Sequence, residues 1–325
     1  MKQYQIRNYQ SSDFALWNAF LDKAKNATFL FHRNFMEYHN NRFEDFSLMV
    51  FDDEKVVAVL PANRVSDVVY SHQGLTYGGL VLPENAKLGN VIEIMKSVLH
   101  FLNKNQINTL QVKVIPIIYT SYFSDEMEHV MFLLNAKIIR KDVLSVINLT
   151  KPFFITKTRR ESIQRGKKNN LYIKEESNFE LFWNQILIPN LNQKHQAKPV
   201  HAVEEITNLQ QNFPKNIRHF NVYHNDEIVA GTTIFITDKV AHPQYISGNE
   251  KKNELGSLDY LYHYLIAEVF SDKNYFDFGP SHEENGKKIN SGILFWKESF
   301  GAKTTIQSYY EVATANFNLL EDVLI

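Results

Sequence analysis

The chain has 325 residues, 44% hydrophobic, 13% aromatic and 22% charged, which is apolar material for two domains of roughly 150 residues each. A formal net charge of −1 excludes a global basic footprint for nucleic acid. The absence of cysteine excludes disulfides, thiolate catalysis and cysteine-ligated zinc, and it suits a reducing compartment.

The start, "MKQYQIRNYQSSDF", has no apolar signal-peptide core, and no run approaches the ~20 apolar residues of a membrane span. A cytoplasmic protein is expected. "SDFALWN" (12–18) predicts a helix behind a capping serine, with Phe14, Trp17 and Leu21 on its inner stripe. "FLFHRNFMEYHNNRF" (29–43) carries His32, Arg33, Tyr38, His39 and Arg42, and "YSHQGLTYGG" (70–79) adds His72 and Tyr77. Such a load of polar and aromatic groups either binds substrate or forms a half-buried hydrogen-bonded network. Between them, "DDEKVVAV" (52–59) reads as an acidic turn entering a strand, which requires antiparallel neighbours. After "PENAKLGN" (83–90), Asn90 is expected to cap a helix with Val91, Ile94, Met95, Val98, Leu99 and Leu102 inward, and "TLQVKV" (109–114) is the strand that follows.

At the middle of the chain, "KTRRESIQRGKK" (157–168) sets six basic residues against one acid. It is either a solvated helix face or a contact for phosphate or tRNA. "SNFELFWN" (177–184) predicts another serine-capped helix, with Phe179, Phe182 and Ile186 inward. His195, Lys198 and His201 precede a helix opening near Ala202. With His242 and Asp277 these are metal-ligating types, but their spacing assembles no site, and no metal is expected. In "VAHPQYISGNE" (240–250), strand alternation projects His242 and Gln244 from one face and Tyr245 and Ser247 from the other. Pro243 marks a bulge or an edge, because it donates no ladder hydrogen bond. Ser257 is expected to cap a helix with Leu258, Leu261, Tyr262, Leu265, Ile266 and Val269 inward. In "YFDFG" (275–279) Asp277 points opposite to its flanking phenylalanines, and Glu283, Glu284 and Asn290 follow in a loop. Asn290 and Gly301 bracket a short helix bearing Lys297 and Glu298 as its charged pair.

The two halves repeat. "SDFALWN" returns as "SNFELFWN", "DDEKVVAV" as "HNDEIVAG" (224–231) and "YSHQGLTYGG" as "VAHPQYISGN", with shifts of 165 to 172 that place His72 on His242. Each copy ends with a helix and a short strand. The expected fold class is α/β (α+β): two tandem domains, 1–155 and 156–325, with mixed, mainly antiparallel sheets, and the last strand free to return to the first domain.

That order resembles the acyltransferase fold of the GNAT superfamily. The tandem pair, with "AKPVHAVEEI" (197–206), "AHPQYISG" (241–248), "YFDFGPSHEENGKKIN" (275–290) and "FWKESFGAK" (295–303), resembles the FemAB-like branch of the Fem aminoacyl transferases over nearly the whole chain. Two departures stand out. Pro189, Pro199 and Pro214 leave no room for the long helical hairpin some members carry. The loops "PENAKLGN" and "NEKKNELGS" (249–257) each hold one glycine where the coenzyme A signature wants two, so no tightly bound cofactor is expected and aminoacyl-tRNA is favoured over acyl-CoA as donor.

The resemblance implies an amide-forming transferase acting on a small or nucleotide-linked acceptor: an amino sugar, a nucleotide sugar or a cell-wall precursor. An acyl-CoA-dependent enzyme and a non-catalytic glycan-precursor binding protein are the alternatives. In this fold the strand before the crossover helix splays from its neighbour, so His242, Gln244, Tyr245 and Ser247 line a cleft or else sit on a bulged edge. Amine acylation needs a base, for which Asp277, Glu283 and His242 are candidates. The resemblance assigns Lys297 to catalysis or phosphate contact, where a cation stabilises an oxyanion. His201, Asn290, Glu298, His72, Tyr77 and Arg33 complete the substrate-binding candidates.

Overall fold

The computed structural model describes residues 4–39 and 42–324; the side chains of His39 and His195, both singled out above, lie outside the described residues. The chain divides into two units, Met1–Asp142 with Ile306–Ile325, and Val143–Thr305. The boundary falls at Asp142, ahead of the expected 155, because the crossing occurs inside a strand, Lys137–Asn148, that carries no turn signal. Strand Lys303–Ala313 returns the chain to the first unit. No helix among the described residues is long and apolar enough to cross a membrane.

In the first unit, Gln5–Asn8, Leu48–Asp52 and Lys55–Leu60 form an antiparallel sheet whose acidic turn places Asp53 at φ 54°. A second set of strands includes Val68–Tyr70, which runs parallel to Thr109–Lys113. The crossover between them is helix Leu88–Lys104, which buries the predicted stripe from Val91 to Leu102. It starts at Leu88 with Lys87 as N-cap, so Asn90 lies inside the first turn and caps nothing. Residues 71–79 are not a strand: His72 sits at φ 63°, and only Gly78 makes a bridge, parallel to Val114. The repeat therefore holds for hairpin and helix but fails at the segment set against 240–249.

In the second unit, Tyr172–Glu175, Ile217–His224, Glu227–Ile236 and Val240–Gly248 are antiparallel neighbours in that order. The hairpin at Asn225 and Asp226 has both residues at positive φ, as a two-residue type I′ turn requires. The helix begins at Glu180 with Phe179 as its N-cap, and the Glu180 amide is held by Asn178 Oδ1 at 2.8 Å, so the serine before it is not the cap. It continues through a π-helical turn, Trp183–Leu187, into Ile188–His195. The wider turn lies just ahead of Pro189, which supplies no backbone N–H.

The crossover helix Ser257–Tyr264 starts at Gly256, φ 71°, and leads to strand Tyr275–Pro280, parallel to Val240–Gly248. Helix Lys157–Lys168 crosses its start at close range. A Cβ on Gly166 would lie 2.5 Å from the Tyr260 Cβ, and one on Gly256 2.4 Å from Ser162 O. Arg159 fastens the layer. It donates to Asp259 Oδ1 at 2.5 Å and to Ser299 Oγ at 3.0 Å, while Trp296 Nε1 donates to the same Asp259 oxygen at 2.7 Å. Around this polar tie, Tyr262, Phe278, Trp296 and Phe300 pack ring on ring. Helix Ser291–Glu298 is thereby fixed against the crossover helix.

Gly256→Ala adds a Cβ into the Ser162 carbonyl at a φ that L residues avoid. A loss of at least about 2 kcal/mol is expected. Urea unfolding reads it; a variant as stable as the parent would show that the two helices are not held at this distance.

Candidate functional site

Strands Val240–Gly248 and Tyr275–Pro280 share only the pairs Val240↔Tyr275 and Ala241↔Phe276 before they diverge. Beyond that point the first stays with Glu227–Ile236 and the second with Lys137–Asn148, so backbone groups on the facing edges lose their ladder. Polar side chains take their place. His242 Nδ1 donates to Asp277 O at 2.8 Å and lies 3.6 Å from Asp277 Oδ2. Asp277 Oδ1 accepts from Gly279 N at 2.7 Å, which tightens a turn that Gly279 makes at φ 71°. A Cβ on Gly279 would stand 3.1 Å from His242 Cε1. Lys297 Nζ donates to Gly279 O at 3.0 Å and to Pro280 O at 2.7 Å.

Three predicted residues thus come together: His242, Asp277 and Lys297. Asp277 is 2% exposed and Lys297 3%, while His242 is half-buried. Burial pushes the Lys297 ammonium down to about 8, against the raising effect of the Asp277 carboxylate. The carbonyl that receives His242 Nδ1 can only accept, so in the neutral ring Nδ1 carries the hydrogen and Nε2 the lone pair. Nε2 has no hydrogen-bond partner among the described residues. The ring's tautomer is thus fixed, with the Asp277 carboxylate 3.6 Å from Nδ1 and the Lys297 ammonium on the carbonyls of Gly279 and Pro280.

A bulge governs the rest of strand Val240–Gly248. Register slips between Thr233↔Tyr245 and Ile234↔Pro243, which leaves Gln244 as the extra residue. The alternation is reset. His242, Tyr245 and Ser247 fall on one sheet face, opposite Phe235, Thr233 and Gly231, whereas simple alternation separated His242 from the other two. On that face Tyr245 Oη accepts from His201 N at 3.1 Å and sits 2.5 Å from His201 Nδ1, and the Tyr245 ring lies 4.9 Å from Trp183. Ser247 Oγ accepts from Asn190 Nδ2 at 2.8 Å. His219, on strand Ile217–His224 beyond Glu227–Ile236, is buried against Phe179 and Phe182 and bonded to Thr233 Oγ1 at 3.0 Å. Burial lowers its pKa to about 4 and keeps it neutral.

Other predicted residues serve elsewhere. Glu283 is exposed in a two-stranded hairpin opposite Lys288, outside the His242 cluster. Asn290 is a helix cap, its Oδ1 accepting from Ile293 N at 3.1 Å. Glu298 is exposed and forms no pair with Lys297, because adjacent residues stand ~100° apart on a helix and Lys297 is turned inward. In the first unit, Arg33 is held by Glu37 at 3.1 Å and by Asp45, and lies 3.7 Å from the Tyr9 ring centroid. Tyr77 donates to Thr28 Oγ1 at 3.1 Å within an aromatic core of Phe31 and Tyr119, and His72 is buried against Phe43. These three are internal supports of that unit.

Two residues of the cluster carry no functional signal of their own type: Gly279, and Ser281, whose buried hydroxyl has no hydrogen-bond partner among the described residues. The glycine was legible as the end of "YFDFG"; the serine left no signal. Among the described residues no three His, Asp or Glu side chains are grouped to hold a metal ion.

No protein-family model and no curated protein matches the sequence. Solved structures do. The chain is similar to FemX, with TM-score 0.66 and 10% identity over 98% of this chain and 99% of that one. It is similar to L-PGS from Bacillus licheniformis, with TM-score 0.60 and 13% identity over 96% and 94%. A conserved protein from Bacteroides thetaiotaomicron follows, with TM-score 0.59 and 11% identity over 96% and 99%. The fold is therefore that of FemX and L-PGS.

Burial pushes the Lys297 ammonium down to about 8 in the folded chain, from 10.5 when free. Unfolded protein then binds more protons between those values, so stability rises with pH across the window and is flat below it. Relative to Lys297→Met, the parent should gain up to about 3 kcal/mol from pH 8 to 10.5. Parallel urea titrations of both proteins check this; a constant difference would mean the ammonium is solvated.

Proposed function

We propose that the chain is an amide-forming acyl or aminoacyl transferase of Fem type, with His242 as its base. The observation that carries this is the fixed imidazole, Nδ1 on Asp277 O, at the divergence of the two parallel strands. Acceptor amine and activated carbonyl meet in that divergence. His242 Nε2 takes the proton as the nitrogen attacks, a C–N bond forms, and the carbonyl oxygen becomes anionic. Lys297 uses two of its three N–H donors on backbone carbonyls and offers the third to that oxygen. As the C–O ester bond breaks, the imidazolium returns its proton to the leaving hydroxyl. Asp277 stabilises the imidazolium from 3.6 Å.

For the donor we favour an aminoacyl-tRNA. Support comes from the crossover helices. The Cα side of Gly256 is packed on Ser162 O, and its N–H is taken by Lys252 O at 2.9 Å, so this glycine offers no open amide to a pyrophosphate. The first-unit loop presents Pro83 and Glu84, one lacking an N–H and the other anionic. The acceptor is an amine on a small amino sugar, a nucleotide sugar or a cell-wall precursor. This part rests on likeness of fold, since FemX and L-PGS share it.

The test is transfer of a labelled amino acid from charged tRNA to a panel of amine acceptors. His242→Gln should lower kcat by about 10²- to 10⁴-fold with little change in KM, as loss of a general base does. Full activity in that variant would remove His242 from the chemistry. Micromolar binding of acetyl-CoA by calorimetry would replace the donor, and binding of a precursor without turnover of either donor would favour a non-catalytic binding protein.

A further inference from the structure

Helix Lys157–Lys168 is split by charge. Its inner face holds Arg159, Ser162, Ile163 and Gly166 against the second-unit core. Its outer face exposes Lys157, Arg160, Arg165, Lys167 and Lys168 with one acid, Glu161, along about 18 Å of helix. Just before it, Phe154 is 67% exposed and Phe153 37% exposed. Two large apolar side chains beside a row of cations are an unusual use of surface.

They are also held in place. A Cβ on Gly301 would lie 3.1 Å from Phe154 O and 3.2 Å from Phe153 Cβ, so this segment packs directly on the glycine turn. Thr156 N donates to Ser299 O at 3.0 Å, and the Arg160 guanidinium stands 5.5 Å from the Phe154 ring centroid. The phenylalanines are thus presented by a rigid support, with a cation beside the more exposed ring.

We propose that this face docks the protein on the surface of an anionic lipid bilayer. The basic helix lies along the charged headgroups, and the Phe153–Phe154 step enters the boundary with the acyl chains. Charge complementarity would serve any polyanion, but the phenylalanines distinguish between them. Stacked bases would cover only the faces of the rings, whereas a headgroup boundary removes their whole apolar surface from water. The docking surface is independent of the transferase reading, since none of these residues touches the His242 cluster.

Full-length protein is mixed with vesicles of phosphatidylcholine alone and of phosphatidylcholine with phosphatidylglycerol, then sedimented. Binding is expected on the anionic vesicles only, and high salt should release it. Each of Arg160→Gln, Lys167→Gln and Lys168→Gln should weaken partitioning about fivefold, the effect of roughly one cation near a charged surface. Phe154→Trp should bind with its emission shifted to the blue, and Phe154→Ser should weaken binding without altering the charge. No sedimentation with anionic vesicles at low salt overturns the proposal. So does a Phe154→Trp emission that vesicles leave unchanged while single-stranded RNA shifts it, which would make this a nucleic-acid surface.

Discussion

Two parallel strands that share only two residue pairs and then separate leave backbone donors and acceptors without a ladder, and the second unit is organised around meeting that demand. Gly279 N goes to the Asp277 carboxylate, Asp277 O to His242, and the carbonyls of Gly279 and Pro280 to Lys297. Each ionisable group of the candidate site is therefore a backbone partner first. This explains how an acid and an ammonium remain buried: both are surrounded by fixed hydrogen bonds. It also couples stability to chemistry. A substitution that removes the Lys297 ammonium frees two buried carbonyls, so loss of activity in such a variant has to be read beside its unfolding curve. His242 is less entangled, because only Nδ1 is engaged in support.

Much of this was legible in the sequence. Asp277 between two phenylalanines had to face away from the core, and a histidine within an apolar strand had to have a reason. Polarity at 242–247 does mark the strand divergence. What alternation alone missed was phase. Pro243 signalled a bulge or an edge, but which of the two depends on the partner strand, and only the slip at Thr233 and Ile234 puts His242 and Tyr245 on one face. Helix and loop positions fared differently for the same kind of reason. Lys297 and Glu298 are adjacent in sequence yet one is buried and one exposed, since direction on a helix is set by what it packs against. Glu283 looked like a base from its type, and the hairpin carries it into solvent.

The first unit shows where residue type stops being informative. Arg33, His72 and Tyr77 suit either a binding site or an internal network, because both uses call for the same chemistry. Arg33 between Glu37, Asp45 and the Tyr9 ring is satisfied on every side by its own unit. The repeat fails at residues 71–79. Setting His72 on His242 assumed that similar letters meant a similar strand, whereas His72 occupies a left-handed backbone position that no regular strand allows.

Glycine counting gains a physical meaning from the crossing of helices Lys157–Lys168 and Ser257–Tyr264. A glycine at a helix start permits either a phosphate or another piece of backbone to approach closely, and sequence does not say which. At Gly256 the approaching group is Ser162 O, and at Gly166 it is Tyr260. Both glycines are consumed by packing. The Gly256 N–H itself donates to Lys252 O at 2.9 Å, so this glycine's amide is not open to a phosphate. The same crossing brings Arg159 to Asp259 and Ser299, which fixes helix Ser291–Glu298 and with it Lys297. Close helix packing and the aim of the ammonium are thus one feature: moving the helices apart would withdraw the support that holds Lys297 on its carbonyls.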